Sequence, residues 1–159
     1  MSKKVILDLL KSLALGCTLL VLACGRPDPR TLPNLVAQDL RVDVSQDFTT
    51  QKFKLCFSGL HEMVIWNDGP AAAGPFTVVL GFFDENKNWV TGVELSAPNG
   101  LAAKKTMRLN PIGQCGSFPF SKFKTGQTYF PGFWVNRDQA VEERTYTDNV
   151  LLIDGVIFK

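Results

Sequence analysis

Asp138, Glu142, Glu143 and Asp148 lie close together near the C-terminus, with Asn136 and Asn149 as neutral oxygen donors beside them. Calcium takes about six to eight hard oxygens in a flexible arrangement, so these four carboxylates have the chemistry of a weak Ca2+ loop. Their spacing is not that of an EF-hand, and residues of this kind ordinarily cap turns and solvate loops. His61 is the single histidine, and a Ser-His-Asp or Cys-His site would have to use it. His61-Glu62-Met63-Val64-Ile65 has Ile where a zinc hydrolase needs its second histidine. His61 instead falls in phase with Met63 and Ile65, as the polar end of a core-facing row. Asn99-Gly100 and Gly113-Gln114-Cys115-Gly116 lack the Lys-Ser/Thr of a phosphate loop. Glycoside hydrolysis needs two carboxyls flanking a cleft, which no pattern here implies. The chain therefore reads as non-enzymatic, with weak calcium as its one cofactor expectation.

Of the four cysteines, Cys56 and Cys115 lie in the body of the chain, and in an oxidising compartment they read as one structural disulfide. Aromatic residues are abundant, with 12 Phe and three Trp. Phe82 and Phe83 cannot both point inward from one strand, and neither can Phe133 and Trp134. Some aromatic surface must face away from the core, to pack under a loop or to meet a partner. Trp66 and Trp134 are the candidates for that binding surface, both out of phase with the residues assigned to the core.

The elements that must position these residues are strands. The apolar content of 45% and charged content of 20% are globular values, and 159 residues suit one ordinary domain. Leu35 to Val44 alternates as a first strand, with Leu40, Val42 and Val44 in phase. Phe53 to Phe57 and Leu60 to Trp66 read as a second strand interrupted at Ser58-Gly59 by a bulge or bend. Trp66-Asn67-Asp68-Gly69-Pro70 reverses the chain into Phe76 to Phe83, an almost continuous apolar run expected of a strand covered on both faces. Asp84 to Asn88 is a hairpin loop and Trp89 to Leu95 returns from it. Thr106 to Leu109, Gln114 to Phe120, Gln127 to Val135 and Asn149 to Phe158 follow. Pro131-Gly132 is expected to interrupt pairing in the third of these. Seven or more short strands without a convincing amphipathic helix predict an all-β, immunoglobulin-like two-sheet sandwich.

The N-terminus has the charged-then-apolar order of a secretory signal, with Lys3, Lys4 and Lys11 ahead of Ser12 to Ala23. That apolar run is too short to cross a bilayer as a helix, which takes roughly 20 residues. Val21-Leu22-Ala23-Cys24-Gly25 resembles the lipobox of bacterial lipoproteins. The resemblance implies a signal peptide over 1–23, removed before a diacylglycerol-modified Cys24. Gly25 rather than Asp at the next position implies the outer membrane in a two-membrane bacterium. Arg26 to Asn34 is proline-rich and polar, and 24–34 is expected to be an extended tether for a domain over 35–159. Without the signal the charges balance: of 17 Lys+Arg and 15 Asp+Glu, three Lys and Asp8 are removed, leaving 14 of each. A neutral mature chain does not suit nucleic acid, whose phosphates call for a basic surface.

Several pieces resemble the cell-adhesion-related CARDB domain of bacteria. Pro33-Asn34-Leu35-Val36 stands for its opening Pro-Asp-Leu-Val, and Ile65-Trp66-Asn67-Asp68-Gly69 for its aliphatic-x-Asn-Gly. Ala71 to Phe76 and Leu101 to Thr106 are similar to the approaches to its next strands. Asp138, Val141, Glu143 and Asn149 match its acidic loop. Tyr146, Asp148 and Asn136 depart from it, and Cys56 and Cys115 are additions. The resemblance implies an immunoglobulin-like interaction module, here lipid-anchored in the cell envelope, that binds protein or surface polysaccharide. The alternatives are an accessory lipoprotein of an envelope assembly and a small secreted hydrolase.

Overall fold

The computed structural model describes residues 27–57, 62–109 and 115–159. The signal peptide over 1–23, Cys24, the bulge at Ser58-Gly59 and His61 lie outside them. Leu35 and Ala37 form an apolar row in one phase of the strand, whereas Leu40, Val42 and Val44 form a row in the other. One extra residue must be inserted for both rows to reach the core. The structure inserts it between Ala37 and Asp39, where the register of β1 (Leu35–Leu40) against β4 (Met63–Asn67) shifts. The expected first strand then ends early. Its remainder is β2 (Asp43–Asp47), paired instead with β3 (Lys52–Cys56).

The described strands form three antiparallel sheets rather than the two expected. One is β1-β4-β7, with β7 at Thr106–Leu109, and another is β2-β3-β8, with β8 at Cys115–Pro119. Both are built from strands consecutive in the chain: β1 and β2, β3 and β4, β7 and β8. The expected second strand is thus two, β3 and β4, lying in different sheets. The third sheet is β10-β9-β5-β6, from β5 (Phe76–Phe83), β6 (Trp89–Ala97), β9 (Thr128–Val135) and β10 (Val150–Leu152). A short β11 (Val156–Ile157) also pairs with β9. Every residue of β5 except Thr77 is buried, as its continuous apolar run implies.

Pro131 does not break β9 from β5, since their register runs unshifted from Val78–Val135 to Phe83–Phe130. Backbone N–H and C=O of one strand residue point to the same side. Pro131 O accepts from Ile153 N at 2.9 Å, so its missing N–H faces the edge strand. The interruption falls there, between β10 and β11.

Between the sheets lies one apolar core, and its two ends differ in chemistry. At one end Phe53, Phe82, Phe118, Phe120, Phe123, Tyr129 and Phe158 interlock, with Phe53 and Phe123 centroids 4.5 Å apart and Phe82 and Phe123 edge-to-face at 5.2 Å. Such pairs contribute about 1 kcal/mol each beyond the area they bury. At the other end Asn34, Asn67, Asn136, Asn149 and Glu143 are buried. Pro33 and Asn34, placed by sequence in an extended tether, are buried in the domain, and a 3-10 turn (Pro29–Thr31) precedes them.

Candidate functional site

The polar end is organised by Glu143. Its carboxylate accepts from the backbone N–H of Leu35, from Asn136 Nδ2 at 2.6 Å and from Asn149 Nδ2 at 2.7 Å. Burial pushes its pKa up, partly offset by those three donors. Asn67 is equally committed: Oδ1 accepts from the N–H groups of Asn34 and Gly69, and Nδ2 donates to the carbonyls of Ala71 and Leu101. Asn34 Nδ2 donates to Asp148 Oδ2 at 3.0 Å, and Thr77 Oγ1 donates to Asp138 Oδ1 at 3.2 Å. Glu142 is exposed. The four carboxylates assigned to weak calcium are therefore not gathered: Glu143 holds three donors inside the domain while Asp138 reaches towards β5. Among the described residues no group of three or more His, Cys, Asp or Glu side chains is placed to hold a metal ion.

The outer face of the β10-β9-β5-β6 sheet carries a concavity. Alternation along β5 sends Phe76, Val78, Leu80 and Phe82 into the core and Thr77, Val79, Gly81 and Phe83 to this outer face. Register then lays rows across three strands: Trp134, Val79 and Glu94; Gly132, Gly81 and Gly92; Phe130, Phe83 and Trp89. The glycine row is a low trench between two taller rows. A Cβ on Gly92 would stand 2.7 Å from Trp89 Nε1, so the absent side chain is what lets the indole lie back over the strand. Phe83, the aromatic that could not face the core, is buried on this side.

Arg137 completes the site. Its guanidinium carbon lies 4.7 Å from the centroid of Trp89 and 5.9 Å from that of Trp134, both within cation–π range. The turn that aims it is set by Asn136, which adopts φ +50, a left-handed conformation that Asn tolerates. Asn136 N donates to Thr77 O at 2.7 Å, Nδ2 donates to Val141 O and Glu143, and Oδ1 accepts from Val141 N. The buried carboxylate of Glu143 thus holds the turn that places the exposed arginine. Opposite, Asp84 accepts from the Asn86 and Asn88 backbones and from the Asn88 side chain. The Asn88 amide, chiefly, holds the Asp84 carboxyl below its ordinary range, and the tight loop presents Lys87 and Asn88 to the groove. The resulting groove has a volume of about 610 Å3 and is lined by Trp89, Trp134, Arg137, Lys87, Glu94 and Asp138 among others.

Trp134 therefore lies half-buried in a groove, whereas Trp66, also half-buried, sits in the other sheet between Val36 and Thr106. The two do not form one surface. Trp89 and Arg137 were not singled out from sequence. Their signal was glycine inside three apolar strands, which marks close approach, but only the register aligns Gly81, Gly92 and Gly132. Cys56 and Cys115 face each other across β3 and β8 and are bonded, with Cα atoms 4.1 Å apart.

The sequence matches no family model and no curated protein. Among solved structures there is a distant match to the CARDB domain of a Pyrococcus furiosus protein, determined in complex with di-metal ions. The two are 13% identical, with a TM-score of 0.43, covering 85% of this chain and 100% of that one.

Proposed function

We propose that this chain is a non-catalytic binding module of the cell envelope, held by a lipid on Cys24 and contacting protein or surface polysaccharide through the groove at Trp134. The observation that carries the reading is the gathering of exposed Trp89 and Arg137 with half-buried Trp134 around one groove on the outer side of the sheet. Large aromatic rings with a few convergent polar groups are the ordinary make-up of a recognition surface. An immunoglobulin-like arrangement is supported by strand order. Counting chain segments, the first, second and fifth share one side, and the seventh, sixth, third and fourth form the other sheet in that order. The lipobox-like Val21 to Gly25 supports the anchor.

The test uses full-length protein purified in detergent, whose intact mass reports acyl chains on Cys24. Binding to isolated envelope fragments is expected for the native protein and is expected to fall at least about tenfold in the Trp89→Ala, Trp134→Ala double variant. Unchanged binding in a folded double variant would remove the groove from the proposal.

A further inference from the structure

The groove's charges narrow what it takes. Cation–π stacking engages the faces of the guanidinium and leaves its in-plane N–H groups free. Among the described residues, Arg137 makes no hydrogen bond or ion pair, and the two indoles beside its guanidinium offer it no acceptor oxygen. A planar fork of this kind matches a carboxylate in two parallel hydrogen bonds. Lys87 adds a second cation from the hairpin loop, in a left-handed turn with φ +62, and its ammonium has no ion pair among the described residues. Glu94 and Asp138 line the same groove as acceptors. They would repel a simple anion, yet they are well suited to hydroxyl donors. Trp134 and Val79 supply an apolar wall in one cross-strand row. A ligand satisfying all of these has a carboxylate, several hydroxyls and an apolar ring face.

Building on the binding-module reading, we infer that the groove binds an acidic saccharide. The carboxylate of a uronic acid residue sits on Arg137 near Lys87, its hydroxyls donate to Glu94 and Asp138, and its ring lies against the indole wall.

The experiment titrates full-length protein in detergent with an oligouronate, the methyl-esterified form of the same oligomer, and inorganic phosphate, following tryptophan fluorescence. The oligouronate is expected to bind, to weaken with salt, and to bind at least about tenfold more tightly than the neutral ester. Arg137→Ala is expected to remove that preference, and Arg137→Lys to restore only part of it, because an ammonium is a point charge without a fork. Arg137 is exposed, so its loss leaves the fold intact, which circular dichroism checks. Equal affinity for acid and ester, phosphate binding as tight as the oligouronate, an unaffected Arg137→Ala variant, or release of new reducing ends would each overturn the inference. If no saccharide binds while the double tryptophan variant still loses envelope binding, the inference falls and the binding module stands. If envelope binding also survives that variant, the inference falls and the groove is removed from the binding-module reading as well.

Discussion

Glu143 shows how one side chain can be indispensable without touching a ligand. It joins the start of β1, the turn after β9 and the residue before β10 through three donors. Replacing it by Ala leaves the Leu35 N–H without a partner and weakens both asparagines, at a cost of about 3 kcal/mol read by chemical denaturation. Its titration has a definite sign. Burial raises the folded pKa above the ordinary value of 4.5, so the folded state binds this proton more readily than the unfolded chain. Its contribution is therefore most favourable below pH 4.5 and is lost as pH rises through the raised folded value. In thermal melts, native protein minus Glu143→Gln should show that decline with rising pH; a flat difference would mean the carboxyl is not perturbed. From sequence, Glu143 was one of four equivalent acids in a loop. Two of its partners, Asn136 and Asn149, are near in the chain, but the third, the backbone N–H of Leu35, comes from β1 at the opposite end of the domain sequence, and nothing local shows that this strand closes over the loop.

Among the elements, β6 is the edge of its sheet, and its Gly92 allows Trp89 to fold across the strand. A Cβ there would approach the carbonyl oxygen of Leu80 to 2.4 Å as well as the indole. Gly92→Ala is expected to cost about 2 kcal/mol and to shift tryptophan emission as Trp89 is displaced, with ligand binding lost even where the fold survives. Unchanged emission would show that the indole does not rest on this glycine. Strand existence was largely legible from alternation and turn residues, as with β7 (Thr106–Leu109), whose bounds coincide with the expected ones. Strand partnership was not. Leu35 to Val44 reads as one strand locally, and only pairing with two different neighbours divides it.

At the scale of the whole molecule, the core joins an aromatic end to a polar one, and the Cys56–Cys115 bond lies where the first sheet gives way to the second. Cys56 ends β3 and Cys115 begins β8, 59 residues apart. Closing a loop of that length removes unfolded-state entropy equivalent to about 4 kcal/mol in the chain-entropy model. Reduction, or a Cys56→Ser, Cys115→Ser variant, is expected to lower the unfolding free energy by up to that amount; no change on reduction would show the bond is not formed. The sequence by itself determined the all-β class, the hairpin at Asp84 to Asn88 and the doubly buried β5, because these follow from side-chain period and local turn chemistry. Tertiary structure alone decided that Trp134, Trp89 and Arg137 line one groove, that Trp66 does not join them, and that Glu143 turns inward. Each depends on cross-strand register, which places residues far apart in the chain side by side and which no local pattern encodes.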